Sequence, residues 1–454
     1  MQTNFTTEQL KDPRTAEVDR ILRRCVHCGL CTAVCSTYVV NGDERDSPRG
    51  RIYLMKDMFE RGRDASKEVQ HHVDRCLSCL SCMSTCPGGV DYMHLVDHAR
   101  VHIAETGQRG LKDRLMRKLL AAVVPYPDRF RRALKAAPLG RPFIPLMRRL
   151  GFKELAAMLD LAPAVIPPAS TFDGPGTAVT KAERKARVIM LAGCAQQVLR
   201  PEINDATIRL LARRGVDVIV ANGAGCCGAL THHMGDETSS HAQAKRNIDA
   251  WMHEIEKAPV DAIIINASGC GTTVKDYGYM LRGEAEYAEK AKRISALAKD
   301  VSEFLAGYDL GPPVRWSSLR VAYHSACSLQ HGQRITDEPK ALLLGAGYTV
   351  VDVPEGHICC GSAGTYNILQ PEMARELRDR KVKNIRSRKP DVVSAGNIGC
   401  IMQIASGIDT PVAHTIELLD WAYGGPVPRG LEALQSFVSD VPQPKRDYKA
   451  FIRN

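Results

Sequence analysis

Two runs of four cysteines set the limits on what this chain can fold into. Cys25, Cys28, Cys31 and Cys35 are spaced C-x2-C-x2-C-x3-C, and Cys76, Cys79, Cys82 and Cys86 repeat that spacing, with Pro87 following. In the bacterial two-cluster pattern, three closely spaced thiolates grip one cubane and the fourth crosses to the other. The spacing therefore predicts two [4Fe–4S] clusters, one on Cys25, Cys28, Cys31 and Cys86 and the other on Cys76, Cys79, Cys82 and Cys35. Crossed ligands hold the clusters close together, as an electron path requires. The first run has Ser36 where proline is usual; proline ligates nothing, so a Ser36→Pro change is expected to be nearly silent. Structural zinc is the competing reading, but zinc takes its four ligands from two paired motifs rather than from doubled three-plus-one runs.

The 40 residues between Cys35 and Cys76 exceed what a small β-rich ferredoxin uses. Within them Ile52, Met55, Lys56 and Phe59 follow Pro48-Arg49-Gly50-Arg51 at helical spacing, which predicts an all-helical two-cluster module over residues 1–100. Sixteen cysteines in a reducing compartment point to metal ligation rather than disulfides. The start, Met1 to Glu8, has neither the basic nor the apolar region of an export signal. No apolar run approaches the ~18 residues needed to cross a bilayer. The expected location is the cytoplasm, with at most a peripheral contact at the inner face of the cell membrane.

Residues 101–155 hold 13 Lys/Arg against 4 Asp/Glu, so one segment carries most of the formal charge of +10. Leu111, Leu115 and Leu119 recur every four residues among Lys112, Arg114, Arg117 and Lys118, the pattern of a basic amphipathic helix. So narrow a stripe favours docking on an acidic partner over binding anionic lipid, and a solvated helix face is the third reading. Few aromatics interleave with the charge, which argues against nucleic acid. A proline-broken stretch follows from Pro125 to Pro168, and Ser170 to Gly176 reads as a linker. Residues 101–180 thus form a basic helical segment and linker.

From about Lys181 the chain repeats itself. Val188–Gly228 overlays Val321–Gly361 without a gap, matching Cys194 to Cys327, Cys226-Cys227 to Cys359-Cys360, and Gly228 to Gly361 at a constant offset of 133. Cys270 pairs with Cys400 after a three-residue slip. The expected domains are 181–312 and 313–425, followed by a C-terminal tail over 426–454. Strands are predicted at Val188–Leu191, Val216–Val220 and Ala262–Ile265, and again at Val321–Tyr323, Thr349–Val353 and Asp391–Ser394. Alternation with helices gives two α/β units with mostly parallel sheets. The whole is an α+β multidomain chain.

Each of those strands is followed within a few residues by cysteine. Ligands in such sheets gather beyond the carboxyl ends of the strands, so Cys194, Cys226, Cys227 and Cys270 are expected to meet in one unit, and Cys327, Cys359, Cys360 and Cys400 in the other. Each set could hold a further iron–sulfur cluster or zinc; buried core thiols or a strained vicinal disulfide are the alternatives. Adjacent cysteines on a strand point to opposite faces, so both members of a pair can ligate only from a turn. Gly223-Ala224-Gly225-Cys226-Cys227-Gly228 satisfies G-x-G-x-x-G literally. The equivalent Glu355–Gly361 keeps the cysteines and loses the glycines, which points to thiol chemistry rather than to a dinucleotide. His232, His233, His324 and His357 lie near these cysteines in sequence and read mostly as ordinary hydrogen-bonded residues. Arg23, Arg24 and Arg75 directly precede the cluster runs and read chiefly as a solvated face. No residue order suggests a catalytic triad, and no flavin site is visible.

Taken together, Arg24-Cys25-Val26-His27-Cys28-Gly29, Pro48-Arg49-Gly50-Arg51-Ile52-Tyr53, Gly193-Cys194-Ala195-Gln196, Ala267-Ser268-Gly269-Cys270-Gly271, Cys359-Cys360-Gly361-Ser362-Ala363-Gly364-Thr365-Tyr366 and Asn397-Ile398-Gly399-Cys400 resemble the iron–sulfur subunits of bacterial glycolate oxidase. The broader family of cysteine-rich CCG domains includes heterodisulfide reductases, lactate-utilisation proteins and the third subunit of anaerobic glycerol-3-phosphate dehydrogenase. The resemblance implies a subunit of a hetero-oligomeric glycolate dehydrogenase. FAD would sit on partner subunits that oxidise glycolate, and D-lactate in some settings, while this chain passes electrons to a quinone or another acceptor. Heterodisulfide-reductase relatives carry a fifth cysteine per unit; Thr273 and Gln403 stand there instead, which tells against disulfide reduction.

Overall fold

A computed structural model of the chain describes residues 1–439, so the last residues of the expected C-terminal tail lie outside the described part. The first 106 residues are helical throughout, without a strand. Pro13–Arg23 starts with proline at its first position and Asp12 accepting from the amides of Arg14 and Thr15, a combination that satisfies orphan donors at a helix start. Pro48–Glu60 starts the same way, with Ser47 accepting from the Gly50 amide. Its buried face is Arg51, Ile52, Met55 and Met58, which meets Val18, Ile21, Leu22, Val73, Leu95 and Ile103 in the core of the cluster module.

Both repeats fold as parallel sheets. In chain order the strands are β1 (Gly176–Ala178), β2 (Ala186–Met190), β3 (Val216–Val220), β4 (Ala262–Ile265), β5 (Ala298–Asp300), β6 (Trp316–Ser317), β7 (Arg320–His324), β8 (Thr349–Asp352), β9 (Val392–Ala395), β10 (Val412–His414) and β11 (Val438–Ser439). The first sheet runs β1-β3-β2-β4-β5 and the second β10-β9-β7-β8. Read from matching edges, β3-β2-β4-β5 and β8-β7-β9-β10 are one topology used twice. All of these neighbours are parallel, and only β1 joins antiparallel, on β3. The expected six strands are all present, with ends within two residues of the expectation.

The two units share a core that runs from β2, β3 and β4 into β7 and β9. Ion pairs close one side of their contact: Asp420, 1% exposed, receives Arg209 and Arg213 at 2.7 Å each, and Arg200 meets Glu417 at 2.9 Å. Hydroxyls close the other, with Ser268 Oγ 2.7 Å from Ser328 Oγ.

The proline-broken stretch is helical, with helices Pro127–Gly140, Ile144–Arg149 and Lys153–Leu161. Pro127 occupies a first-turn position, where proline's missing N–H costs the helix nothing, whereas Pro138 lies inside the helix near its end. The Ser170–Gly176 linker is pinned rather than free, because Asn204 donates to Asp173 at 2.9 Å, Ser170 binds Asp205, and Gly176 opens β1. In the basic helix Leu111–Val123, Leu111 and Leu115 are 83% and 66% exposed. Leu120 is the buried residue, and Arg109 and Arg117 hold the helix to Asp74 of the cluster module.

Candidate metal centres

The two N-terminal loops wrap in the same way. In the first, His27 and Gly29 on either side of Cys28 have φ of +60° and +83°; in the second, Ser78 and Leu80 on either side of Cys79 have φ of +47° and +61°. Left-handed backbone at a non-glycine residue costs roughly 1–2 kcal/mol, so both loops hold strained turns that bring three thiols round to one side. Arg100 props the second loop, donating to Ser78 Oγ at 2.6 Å and to the Cys76 carbonyl at 2.8 Å.

Cys25, Cys28, Cys31 and Cys86 line one cavity, which Cys82 borders as well. Cys35 and Cys76 both lie beside the guanidinium of Arg51, and Cys79 and Cys82 crowd the same two thiols. The thiols thus gather into two neighbouring groups along the lines expected from spacing, with Cys82 bordering both.

Arg51 was not foreseen in this role. It is buried, donates to the His72 carbonyl at 2.6 Å and to Thr37 at 3.1 Å, and reaches Cys35 Sγ at 3.9 Å. Its partner Asp46 is fully buried and also takes His72 and Arg75 at 2.8 Å each. Arg75 is thus part of a buried ion network rather than of a solvated face. Tyr92 Oη points at Cys76 Sγ from 3.8 Å.

In the repeats each cysteine sits in a loop or helix start beyond a strand: Cys194 after β2, Cys226-Cys227 after β3 and Cys270 after β4, with Cys327, Cys359-Cys360 and Cys400 placed likewise after β7, β8 and β9. Both vicinal pairs lie outside strands, which frees both sulfurs to face one point. Cys226 is within hydrogen-bonding reach of Cys194 and Cys227, and Cys227 of Cys270. In the second unit Cys327 Sγ is 3.9 Å from Cys359 Sγ, and Cys360 is within reach of Cys400. Gly228 and Gly361 both have φ of +89°, and a Cβ on Gly361 would meet the Ala374 carbonyl at 2.5 Å. Only glycine fits there. The carbonyls of Cys226 and Cys227 accept from Asn247 at 2.9 Å and Tyr277 at 2.7 Å, fixing the first pair.

The Ser36 expectation is overturned. Ser36 is buried, and its hydroxyl accepts from the Cys359 amide at 3.0 Å. Proline at that position would remove the acceptor and leave a buried N–H unpaired, because the contact comes from a segment 323 residues away. Cys79 in turn lies within electrostatic reach of Cys327 and Cys359. The cluster module thus meets the second unit beside the thiols, through Ser36 and the Cys359 amide and through Tyr366, which donates to the Arg75 carbonyl at 3.1 Å.

All sixteen cysteines are unpaired thiols. Burial and the neighbouring Cys25 and Cys35 push Cys31 up to about 11. Burial and adjacent thiols also raise Cys79 and Cys82 far above the ordinary range. Thiols packed this way resist ionising on their own, whereas a polycationic core reverses that preference and binds them as thiolates. The donor sets thus fit iron–sulfur ligation: they are soft and grouped in fours.

Both cysteine sets of the repeats open onto a single cavity of about 370 Å³. Its other wall is apolar, with Leu120, Val124, Phe130, Leu134 and Leu159 from the basic helical segment. That segment, not the sheets, closes the space.

Residues 21–90 match the family described as 4Fe-4S dicluster domain, and residues 188–275 and 321–405 each match the one described as cysteine-rich domain. The chain is 43% identical to the glycolate oxidase iron-sulfur subunit of Escherichia coli across 93% of this chain and 99% of that one. It is 31% identical to the probable glycolate oxidase iron-sulfur subunit of Bacillus subtilis, across 90% and 94%. To the lactate utilization protein A of Bacillus licheniformis it is 25% identical, over 52% of this chain and 99% of that protein.

Proposed function

Since the chain belongs to the family of glycolate oxidase iron–sulfur subunits, we propose that it carries electrons away from flavin-bearing partner subunits that oxidise glycolate. The observation that supports this most is the contiguity of the four thiol groups. Cys25, Cys28, Cys31 and Cys86 form the outer end, where Cys28 is exposed and Val26, Leu30 and Tyr53 present apolar surface. That end suits a partner delivering electrons. Cys35, Cys76, Cys79 and Cys82 come next, beside Cys327 and Cys359 of the second unit. The thiols of the second unit and of the first then share the inner cavity.

Iron–sulfur cores supply one-electron transfer when bound at such thiols. Cys25, Cys28, Cys31 and Cys86 would hold the first [4Fe–4S] cluster, and Cys76, Cys79, Cys82 and Cys35 the second. Arg51 sets a buried positive charge beside the second group and so favours its reduced form. Cys194, Cys226, Cys227 and Cys270, and Cys327, Cys359, Cys360 and Cys400, would hold further centres. The apolar wall facing them has the size and character of a small-molecule site, which supports a quinone as the acceptor.

A quinone lives in a membrane, and among the described residues no helix is long and apolar enough to cross one. Leu111, Leu115, Leu139, Phe143, Leu146 and Leu150 are exposed along the same basic segment that closes the cavity. These added residues make the apolar surface broader than the three-leucine stripe and favour a peripheral contact with anionic lipid over an acidic protein partner.

Deleting the gene and assaying dye-linked glycolate oxidation in extracts tests the assignment. Activity should be lost and should return with the wild-type chain; full activity in the deletion strain would remove the proposal. Iron and acid-labile sulfide in the anaerobically purified complex should exceed the content of two cubanes.

A further inference from the structure

One imidazole in the second unit has nothing in the protein to bond. His324 ends β7, three residues before Cys327, and is 1% exposed. Neither of its ring nitrogens has a hydrogen-bond partner among the described residues. Buried polar groups are almost always paired, because an unpaired one forfeits the hydrogen bonds it made in water. The same ring lies where a ligand would lie: a ring nitrogen of His324 and the sulfurs of Cys360 and Cys400 are all within 4.8 Å of one another.

The first unit has no counterpart. At the constant offset of 133 that aligns the repeats, the residue matching His324 is Leu191, which packs among Ile189, Ile219 and Ile265 in an apolar cluster. The two cysteine centres therefore have matching thiols but differ by one imidazole.

We propose that His324 is a nitrogen ligand of the centre held by Cys327, Cys359, Cys360 and Cys400, giving that centre four thiolates and an imidazole while the first unit's centre has thiolates alone. This rests on the reading that the second unit carries an iron–sulfur centre. A neutral nitrogen donor adds no negative charge, and imidazole ligation raises the potential of iron–sulfur centres relative to thiolate. The ammonium of Lys381, buried beside Cys360, Cys359 and Cys400, acts in the same direction. Relative to a fifth thiolate at that position, the imidazole leaves the second unit's centre the easier to reduce.

The test is pulsed EPR on the complete, anaerobically purified complex, with the centres poised in their paramagnetic states and the protein labelled with 15N-histidine. A strongly coupled nitrogen should appear and shift with the isotope in the wild-type protein, a measurement that needs no substitution. It should vanish in His324→Leu, which installs the first unit's residue, and in His324→Cys. The latter should keep its iron and titrate at a lower potential. Iron in excess of two cubanes with no histidine nitrogen coupled to it would overturn the proposal alone, as would a coupling that survives in His324→Leu. Iron limited to two cubanes would overturn the proposal together with the reading beneath it.

Discussion

The charge that matters most to the N-terminal thiols is held by one side chain. Arg51 spans the His72 carbonyl, Thr37 and Asp46, and stands beside Cys35 and Cys76. Replacing it by methionine would leave Asp46 buried with fewer counter-charges, and breaking a buried pair in this way costs roughly 3–5 kcal/mol. Arg51→Met is expected to lower the thermal unfolding midpoint and shift the second cubane to a lower potential. Arg51→Lys keeps the charge without the planar fork and should fall between. Redox titration by EPR alongside thermal unfolding reads both effects; unchanged values in Arg51→Met would show that the cation is incidental. Ser36 makes the complementary case. Ser36→Ala or Ser36→Pro orphans the Cys359 amide and should cost about 1–3 kcal/mol, whereas equal stability in all three proteins would mean that the contact contributes nothing.

At the scale of elements, what could be read in the sequence was whatever is decided locally. Ala262–Ile265 is a continuous apolar run, and Val216–Val220 is one but for Asp217, because parallel strands are covered on both faces. Ligand spacing is likewise local, so the crossed cysteine groups could be expected before any geometry. The orientation of Leu111–Val123 was not, because it is set by Asp74, a residue far away in sequence that draws Arg109 and Arg117 inward and turns Leu111 and Leu115 outward. Arg51 left a trace that could have been followed: it sits on the same helix face as Ile52, Met55 and Met58, where a cation has no place unless something buried needs it. His324 left one as well, in its alignment with Leu191. The exposed leucines carry their own prediction. Leu111→Glu with Leu115→Glu should leave the unfolding midpoint unchanged while abolishing co-sedimentation with anionic vesicles; retained vesicle binding would show that the basic helix meets something other than lipid.

For the whole molecule, function depends on the cluster module staying docked on the repeats, and one histidine makes that docking sensitive to pH. His94 binds Asp91 at 2.6 Å within the module and Asp276 of the first unit at 3.0 Å, and its ring stacks on Tyr279 at 3.4 Å between centroids. Burial opposes the charge on this imidazole, but hydrogen bonds and attraction from Asp276 and Asp91 outweigh it and raise His94 from 6.5 to about 9. The folded state thus keeps a proton that the unfolded chain releases near its ordinary value. The resulting stabilisation, on the order of 3 kcal/mol, is fully present below about pH 6.5, declines as pH rises and is gone above about 9. The wild-type chain should lose stability across that window, and its internal electron transfer should slow as the contact with Asp276 loosens. His94→Gln preserves a hydrogen-bonding side chain without the titration, so its unfolding midpoint should start lower at pH 6.5 and fall less steeply by pH 9. Parallel pH profiles for the two proteins would place the sensitivity elsewhere, in groups that do not join the module to the first unit.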